Sequence, residues 1–407
     1  MYMTSSNHLT RYCTYRKPTR ELTSTGKKLE KYKTHYIHSS WNSNVFSISR
    51  PHFSYDRRRI RQKLPANLDE WRIPGNCVQD EERIWLQLDE VLDQWGFTQW
   101  QHFADSILQA PSTAPQLSSG FGYTPLARTT PIWLGRFEYT NPLCRAVRTR
   151  GGHDVIIRVI VIGKEGHEHL KILRKLATGP LSLYSENHTL PMFSELQFED
   201  IIFGVFPKAG GSVSEAHGYW PRNSVGDIVD MLLQMLEITK ALAFIHSHNV
   251  AHRDAFMDNF VVQWQPESLA AKKISISRPR IYLIDFEVSV QFSEDCPIKN
   301  RVCVGPPLGG SFPSPEMYKR QCPPEVESGK PYDPFKLDVW QLASSLHQFK
   351  SKIPAIDETL AAMTDDDPVF RLSAQQALDR LGQIVASMPP ESLLFEPEGA
   401  FKFKSTN

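Results

Sequence analysis

The side chains best suited to chemistry lie in two short stretches of the chain. The first reads His252-Arg253-Asp254 and is followed, five residues after the aspartate, by Asn259. The second is the apolar run 281–284, which ends in Asp285-Phe286-Glu287. A magnesium–nucleotide site needs one carboxylate that orients or deprotonates a hydroxyl, and a second carboxylate with an amide oxygen that hold the cation. The alternative, chance capping residues in loops, is disfavoured by Asn259 and by the apolar run before Asp285.

Hydrophobic periodicity predicts the elements that position these residues. Apolar residues at every third or fourth position over 225–248 indicate a long helix that ends just before His252. Runs rich in Val and Ile predict strands over 155–162 and 201–206, and the chain is typical of helix again from 336 to 388. Strands come first and helices second, which predicts an α+β fold with segregated layers.

Composition limits the class of protein. The 407 residues are 41% hydrophobic and 22% charged, which is typical of a globular chain. No apolar run reaches the roughly 18 residues that a membrane span requires. The six cysteines contain no C-x-x-C pair, which argues against a disulfide framework or a zinc site and favours a reducing compartment. Because the N-terminus also lacks an apolar signal segment, we expect a cytoplasmic protein.

Charge is distributed unevenly along the chain. Residues 1–65 carry fourteen basic and three acidic side chains, a net charge of +11, whereas the remainder carries −10. With few aliphatic residues and no periodicity, this arm is predicted to be disordered. A solvated tail is the favoured interpretation. The alternatives are nuclear import through the basic run 57–63 and electrostatic contact with nucleic acid, a membrane surface or the acidic body itself.

Residues 66–128 are predicted to form a helical extension and a linker. Apolar residues at helical spacing indicate an amphipathic helix; they are Ile84, Leu88, Val91 and Trp95. The four tryptophans at positions 71, 85, 95 and 100 are interpreted as core residues rather than as an aromatic ligand box. Proline- and serine-rich residues 110–128 are the linker, and 391–407 form a C-terminal tail.

The motifs resemble those of the eukaryotic protein kinase superfamily across about residues 130–390. His252-Arg253-Asp254 with Asn259 is similar to the catalytic loop H-R-D-x-x-x-x-N, and Asp285-Phe286-Glu287 stands where D-F-G belongs. Three further features match the family in order; they are Ser314-Pro315-Glu316 for A-P-E, Asp338-Val339-Trp340-Gln341-Leu342 for D-x-W-x-L, and Arg371 for the arginine that pairs with the A-P-E glutamate. The residues around these motifs are similar to those of a divergent kinase-like group of mushroom-forming fungi.

The resemblance implies a bilobal fold, with a small β-rich lobe over 129–206 and a large helical lobe over 207–390. It implies a Mg- and ATP-dependent transferase that acts on an unidentified protein substrate at serine or threonine. The residues that it implies are Asp254, Arg253 and His252 in catalysis, Asn259 and Asp285 as magnesium ligands, Arg158 and Glu168 at the nucleotide, and Glu316, Asp338 and Arg371 as structural residues. Asp338 would brace the catalytic loop, Arg253 would dock the activation segment, and Glu316 would pair with Arg371.

Several positions depart from the family's pattern. The strand 155–158 reads Val-Ile-Ile-Arg, where the family has V-A-I-K, and no G-x-G-x-x-G precedes it. The expected glutamate partner of Arg158 falls by counting on His169, so the neighbouring Glu168 is taken as the candidate. Phe256, two residues after Asp254, stands where serine/threonine kinases place a lysine, and Glu287 replaces a flexible glycine.

Three function classes follow. The first is a protein serine/threonine kinase, for which the base and the cation ligands are in place. The second is a pseudokinase, a binding or scaffold module, which Arg158, Phe256 and the missing glycine loop favour. The third is a small-molecule kinase of the aminoglycoside or choline type. The run Leu283-Ile284-Asp285-Phe286-Glu287 fits that group, but the group lacks the A-P-E and D-x-W motifs.

Overall fold

The computed structural model describes residues 56–72, 78–104, 107–111, 136–138, 141–209, 212–213, 226–262, 280–346 and 353–389. The predictions for the arm before residue 56, for the linker after residue 111 and for the tail 391–407 lie outside the described residues. The end of the predicted arm is folded, which corrects its boundary. A short helix, Arg57–Arg61, begins at Asp56, whose side chain accepts a hydrogen bond from the Arg59 amide.

The described chain has a mixed α+β fold. Its helices are α1 (Arg57–Arg61), α2 (Leu68–Arg72), α3 (Val78–Leu86), α4 (Asp89–Gln94), α5 (His167–Leu176), α6 (Gly226–Ser247), α7 (Pro324–Glu327), α8 (Pro334–Ser345), α9 (Pro354–Met363) and α10 (Ala374–Ser387). Its strands are β1 (Phe97–Gln99), β2 (Gln101–Ala104), β3 (Ile107–Gln109), β4 (Arg136–Glu138), β5 (Cys144–Thr149), β6 (Asp154–Ile162), β7 (Ser194–Phe198), β8 (Ile201–Pro207), β9 (Val250–Ala251), β10 (Phe260–Val262), β11 (Ile281–Leu283), β12 (Val290–Gln291), β13 (Cys303–Val304) and β14 (Pro331–Tyr332).

Five strands form an antiparallel sheet in the order β1-β5-β6-β8-β7. The predicted strands are confirmed as β6 and β8, which pair with Arg158 opposite Gly204. Strand β6 is buried along nearly its whole length because both of its faces are covered. Ile157 and Val159 belong to one hydrophobic core, and Ile160 belongs to another. Burial on both faces explains why this strand is a continuous apolar run rather than an alternating one.

The extension packs on the sheet through an aromatic cluster. Trp71 and Trp85 are fully buried, and their ring centroids lie 5.6 Å apart at a steep angle. Both rings lie 6.3 Å from Phe203 of β8. The interpretation of these tryptophans as core residues is confirmed. The single amphipathic helix predicted here is instead two helices, α3 and α4, because the helix is interrupted between Leu86 and Asp89.

A second core joins the long helix to the C-terminal helices. The predicted helix 225–248 is confirmed as α6, whereas the stretch from 336 to 388 contains three helices, α8 to α10. Helix α10 begins at a capping box formed by Ser373 and Gln376. Helices α6, α8, α9 and α10 share their apolar faces with β10 and β11. Within the described stretches, no helix has the length and apolarity needed to cross a membrane.

The aromatic cluster gives a test of whether the extension and the sheet fold as one unit. Trp85→Ala is expected to lower the free energy of unfolding by about 3–5 kcal/mol, because it removes a fully buried aromatic side chain. The matched control is Leu86→Ala, since Leu86 is 55% exposed, and its effect is expected to stay within about 0.5 kcal/mol. Urea unfolding measures both. Equal losses in the two variants would contradict the packing.

Candidate functional site

The loop that carries Asp254 is shaped by a buried carboxylate. Asp338, on α8, is fully buried and accepts hydrogen bonds from the backbone amides of His252 (2.8 Å) and Arg253 (2.6 Å). It also bonds the ring of His246 at the end of α6 (2.8 Å). Arg253 has a φ of +68°, a conformation that costs a non-glycine residue free energy. The hydrogen bonds from these two backbone amides to Asp338 offset that cost and fix the direction of Asp254.

The structure brings Asp254, Asn259 and Asp285 together. The Asn259 amide nitrogen donates to the Asp254 carbonyl oxygen (2.7 Å) and to Asp254 Oδ2 (2.8 Å). The backbone amide of Ile284 donates to the Asn259 carbonyl oxygen (2.9 Å), and β10 pairs with β11 just before Asp285. The ring of the buried His252 bonds the Ile284 carbonyl (2.8 Å). His252 therefore joins the two loops. Like Asp254 and Asn259, it is not among the described residues that line the cleft, whereas Asp285 is.

The two aspartates differ in their electrostatic environments. The pKa of Asp254 is raised to about 6 because burial and, less strongly, the charge of Asp285 raise it more than Arg320, His252 and the hydrogen bond from Asn259 lower it. Burial also raises the pKa of Asp285, but the charge of Arg158 and its hydrogen bond outweigh burial and hold that pKa below its ordinary value. Asp254 is thus the more basic of the two carboxylates.

Arg158 has a different partner from the one predicted. Its Nη2 donates to Asp285 Oδ1 (2.7 Å) and to Glu287 Oε1 (2.5 Å). Glu168 points to solvent with its side chain 79% exposed and pairs with Lys171, so the predicted pairing of Arg158 with Glu168 is wrong. The buried face of α5 begins at His169, one residue later, which puts Glu168 on the outer face.

His169 occupies the inward position on α5. Burial first, and then the charge of Arg158, lowers its pKa to about 3, so this side chain is neutral and cannot replace an acidic partner. Glu287 supplies the carboxylate instead, and its second oxygen accepts from Arg72 of α2 (3.2 Å). The signal for Glu287 was present in the sequence, since this acid directly follows Asp285-Phe286 in place of glycine.

An apolar cleft opens beside these charges. Ile156 and Phe206 line it from the sheet, and Val261 and Ile284 line it from β10 and the end of β11. Arg158 and Asp285 lie in the same lining, and the space measures about 710 Å³ out to its open mouth. Most of the lining is apolar, with few polar groups, which is typical of a site for a small organic ligand.

The donor set fits a hard cation. Both hydrogen bonds that the Asn259 amide nitrogen donates go to Asp254, and among the described residues no hydrogen bond reaches Asn259 Oδ1. Arg158 binds one oxygen of Asp285, and among the described residues no hydrogen bond reaches Oδ2. One amide oxygen and one carboxylate oxygen are ligands of the kind that Mg²⁺ prefers. Asn259 and Asp285 are therefore the residues that could hold it.

The predicted ion pair between Glu316 and Arg371 is wrong. Arg371 is buried and binds both carboxylate oxygens of Glu325, at 2.6 and 3.2 Å. Glu316 lies on an exposed 3₁₀ turn, Pro315–Met317, where the Ser314 hydroxyl lowers its pKa. The chain contains a second Pro-Glu step, Pro323-Pro324-Glu325, closer to Asp338. That repeated step was the signal for the correct partner.

Arg253 and Arg320 complete the surroundings of Asp254. Arg253 Nη1 donates to the Val288 carbonyl in the segment after Asp285 (3.3 Å). Sequence reasoning missed Arg320, whose Nε lies 3.5 Å from Asp254 Oδ1 and whose Nη2 donates to Asp258 Oδ2 (2.6 Å). No local pattern marks Arg320, because its contacts with Asp254 and Asp258 are made only by the folded chain.

Comparison with known proteins gives a distant similarity to a protein kinase. No protein-family model matches the chain. The chain is 28% identical over 169 residues to the serine/threonine-protein kinase ppk8 of Schizosaccharomyces pombe. The matched region covers 40% of this chain and 26% of that kinase, so the chain spans about a quarter of the relative's length.

The corrected ion pair is testable with two glutamates of the same segment. Glu325→Ala is expected to lower the free energy of unfolding by about 3–5 kcal/mol, because it leaves the buried Arg371 guanidinium without its carboxylate. Glu316→Ala is the control and is expected to change stability by less than about 0.5 kcal/mol. Thermal or urea unfolding distinguishes them, and a larger loss for Glu316→Ala would restore the pairing that we reject.

Proposed function

We propose that this chain is a protein kinase-like phosphotransferase that transfers the γ-phosphoryl group of Mg·ATP to a serine or threonine hydroxyl of a protein. The observation that carries the proposal is the meeting of Asp254, Asn259 and Asp285 beside an apolar cleft. The distant similarity to a serine/threonine kinase supports the same chemistry. In this proposal the sheet with α5 is the smaller lobe, and the helices after residue 207 form the larger lobe.

In the proposed reaction, Asp254 is the base. The hydroxyl oxygen of the acceptor forms a bond to the γ-phosphorus, and the bond from that phosphorus to the β,γ-bridging oxygen breaks with its electron pair staying on ADP. The hydroxyl proton passes to the Asp254 carboxylate. Asn259 holds one oxygen of that carboxylate, and Oδ1 has no hydrogen-bond partner among the described residues. A pKa near 6 leaves the carboxylate ionised at neutral pH and still basic enough to accept a proton.

The other residues have binding roles in the proposal. Asn259 and Asp285 would hold magnesium, which when bound neutralises charge on the phosphates. The apolar walls at Ile156 and Val261 suit the flat, largely apolar faces of an adenine ring. Arg158 supplies positive charge in the lining that it shares with Asp285.

A second candidate function is a nucleotide-binding module without turnover. The observation that favours it is the engagement of Arg158 with Asp285 and Glu287 together. An arginine that already satisfies two carboxylates has less charge to offer a phosphate, and it competes with a cation for Asp285. The binding and transfer experiments below separate the two functions.

Nucleotide binding and transfer can be measured on the same variants. Mg·ATP at about 100 times its dissociation constant should stabilise the folded chain by about 2.7 kcal/mol, seen as a rise in melting temperature. Asp254→Asn should keep that rise and lose at least about 100-fold in transfer of radiolabelled phosphate to casein, because it removes the base. Asp295→Asn, an exposed acid in the segment after Asp285, is the control and should keep both.

The results of that experiment distinguish the two functions and test the role of Asp254. Without a thermal shift for the wild type, there is no nucleotide site and the proposal fails. A shift without transfer leaves the non-catalytic module. Equal transfer by wild type and Asp254→Asn removes Asp254 from the role of base.

The raised pKa of Asp254 predicts the pH dependence of transfer. Only the ionised carboxylate accepts a proton, so kcat/KM should rise with pH through an apparent pKa near 6 and level off above it. The profile is measured with Mg·ATP at constant ionic strength, and melting temperatures over the same pH range control for unfolding. An acid limb centred near pH 4, the ordinary range of an aspartate, would show that burial does not tune this group.

A further inference from the structure

The position two residues after Asp254 lacks a charge that the proposed reaction would use. Phe256 stands there, 8% exposed, in place of the lysine that the family resemblance implies. During transfer, negative charge spreads over the three outer oxygens of the phosphoryl group, and a cation next to the base stabilises them. A phenyl ring cannot do this, so either the chain lacks that cation or another element provides it.

Arg320 places a cation at this position from a distant part of the chain. Its guanidinium carbon lies 4.8 Å from the centre of the Phe256 ring and 5.9 Å from that of Phe312. Cation–π contact with these two aromatic faces favours the charge of the guanidinium. The exposed partner Asp258 anchors one end through Nη2 at 2.6 Å. The Arg320 side chain as a whole remains 27% exposed.

The atoms that face Asp254 are unsatisfied. Arg320 Nε lies 3.5 Å from Asp254 Oδ1, a charge contact that is longer than an ordinary hydrogen bond. Among the described residues, neither of these two buried atoms has a hydrogen-bond partner. A donor and an acceptor that both lack a partner suit a ligand with one group of each kind. A phosphoryl oxygen would accept from Arg320 Nε, and a hydroxyl would donate to Asp254 Oδ1.

We propose that Arg320 binds the phosphoryl group during its transfer and so takes the place of the cation that Phe256 cannot supply. The inference rests on the proposed function. Arg320 is better suited to the task than Arg158. Arg158 binds two largely buried carboxylates, whereas the carboxylate that holds Arg320 is the exposed Asp258. Phe256 then acts as the surface on which the guanidinium lies.

The test compares Arg320→Ala, Arg320→Gln and Arg320→Lys with Lys319→Ala. Lys319 is the neighbouring cation and donates to the Glu316 carbonyl, away from Asp254, so it is the matched control. Affinities for Mg·ATP and Mg·ADP are measured by calorimetry, and transfer to casein is measured with radiolabelled ATP. Arg320→Gln preserves part of the packing on Phe256 and keeps the test usable if the alanine variant does not fold.

We expect removal of Arg320 to affect ATP and not ADP. Arg320→Ala and Arg320→Gln should weaken Mg·ATP binding about tenfold, leave Mg·ADP binding unchanged and lower kcat about 100-fold. Arg320→Lys should recover part of kcat. A purely structural role would not change the ratio of ATP affinity to ADP affinity.

Three results would overturn the inference. A rise in kcat for Arg320→Ala would mean that Arg320 blocks Asp254 instead of assisting it. If variants of Arg320 behave like Lys319→Ala, Arg320 does not bind the phosphoryl group, and the proposed function is unaffected. A wild-type chain that binds neither nucleotide would remove the proposed function and this inference together, and that outcome is visible without any variant.

Discussion

A buried carboxylate that must be satisfied is the constraint on which this site depends. Asp338 on α8 is fully buried. Burying a carboxylate is strongly unfavourable unless hydrogen-bond donors surround it. Two of those donors are backbone amides of the loop 252–253, which can approach only when Arg253 adopts a left-handed conformation. The polar core of one helix thereby sets the backbone of a loop and the direction of Asp254.

Around that fixed loop, three carboxylates and three arginines are paired unequally. Arg158 bridges Asp285 and Glu287, Arg72 adds a second contact to Glu287, and Arg320 lies beside Asp254 without a hydrogen bond to it. The consequence is one carboxylate held in its charged form and one of raised pKa. Both proposed functions depend on this arrangement, and they differ in how strongly Arg158 must hold Asp285.

The parts of the fold that follow from local pattern could be predicted from the sequence. Strands β6 and β8 and helix α6 were found because their apolar residues follow the period of the element. The placement of Glu168 failed because a shift of one residue along α5 turns a side chain by about 100° and moves it from the core to solvent. The partner of Arg371 was missed because the same segment offers two Pro-Glu steps, and only tertiary packing selects Glu325. Arg320 could not be found at all, since its position beside Phe256 is created by folding and has no spacing in the sequence.

The contact of Arg72 with Glu287 limits how far the chain can be truncated from its N-terminal side. Arg72 lies on α2, well before the region of about 130–390 that carries the kinase-like motifs, and it still reaches a carboxylate at the cleft. The N-terminal extension therefore contributes a contact to the surroundings of the candidate site. A fragment excised at the usual boundary of such a domain would leave Glu287 with a single arginine and would expose the aromatic surface that α2 and α3 cover. The motifs alone do not reveal this contact.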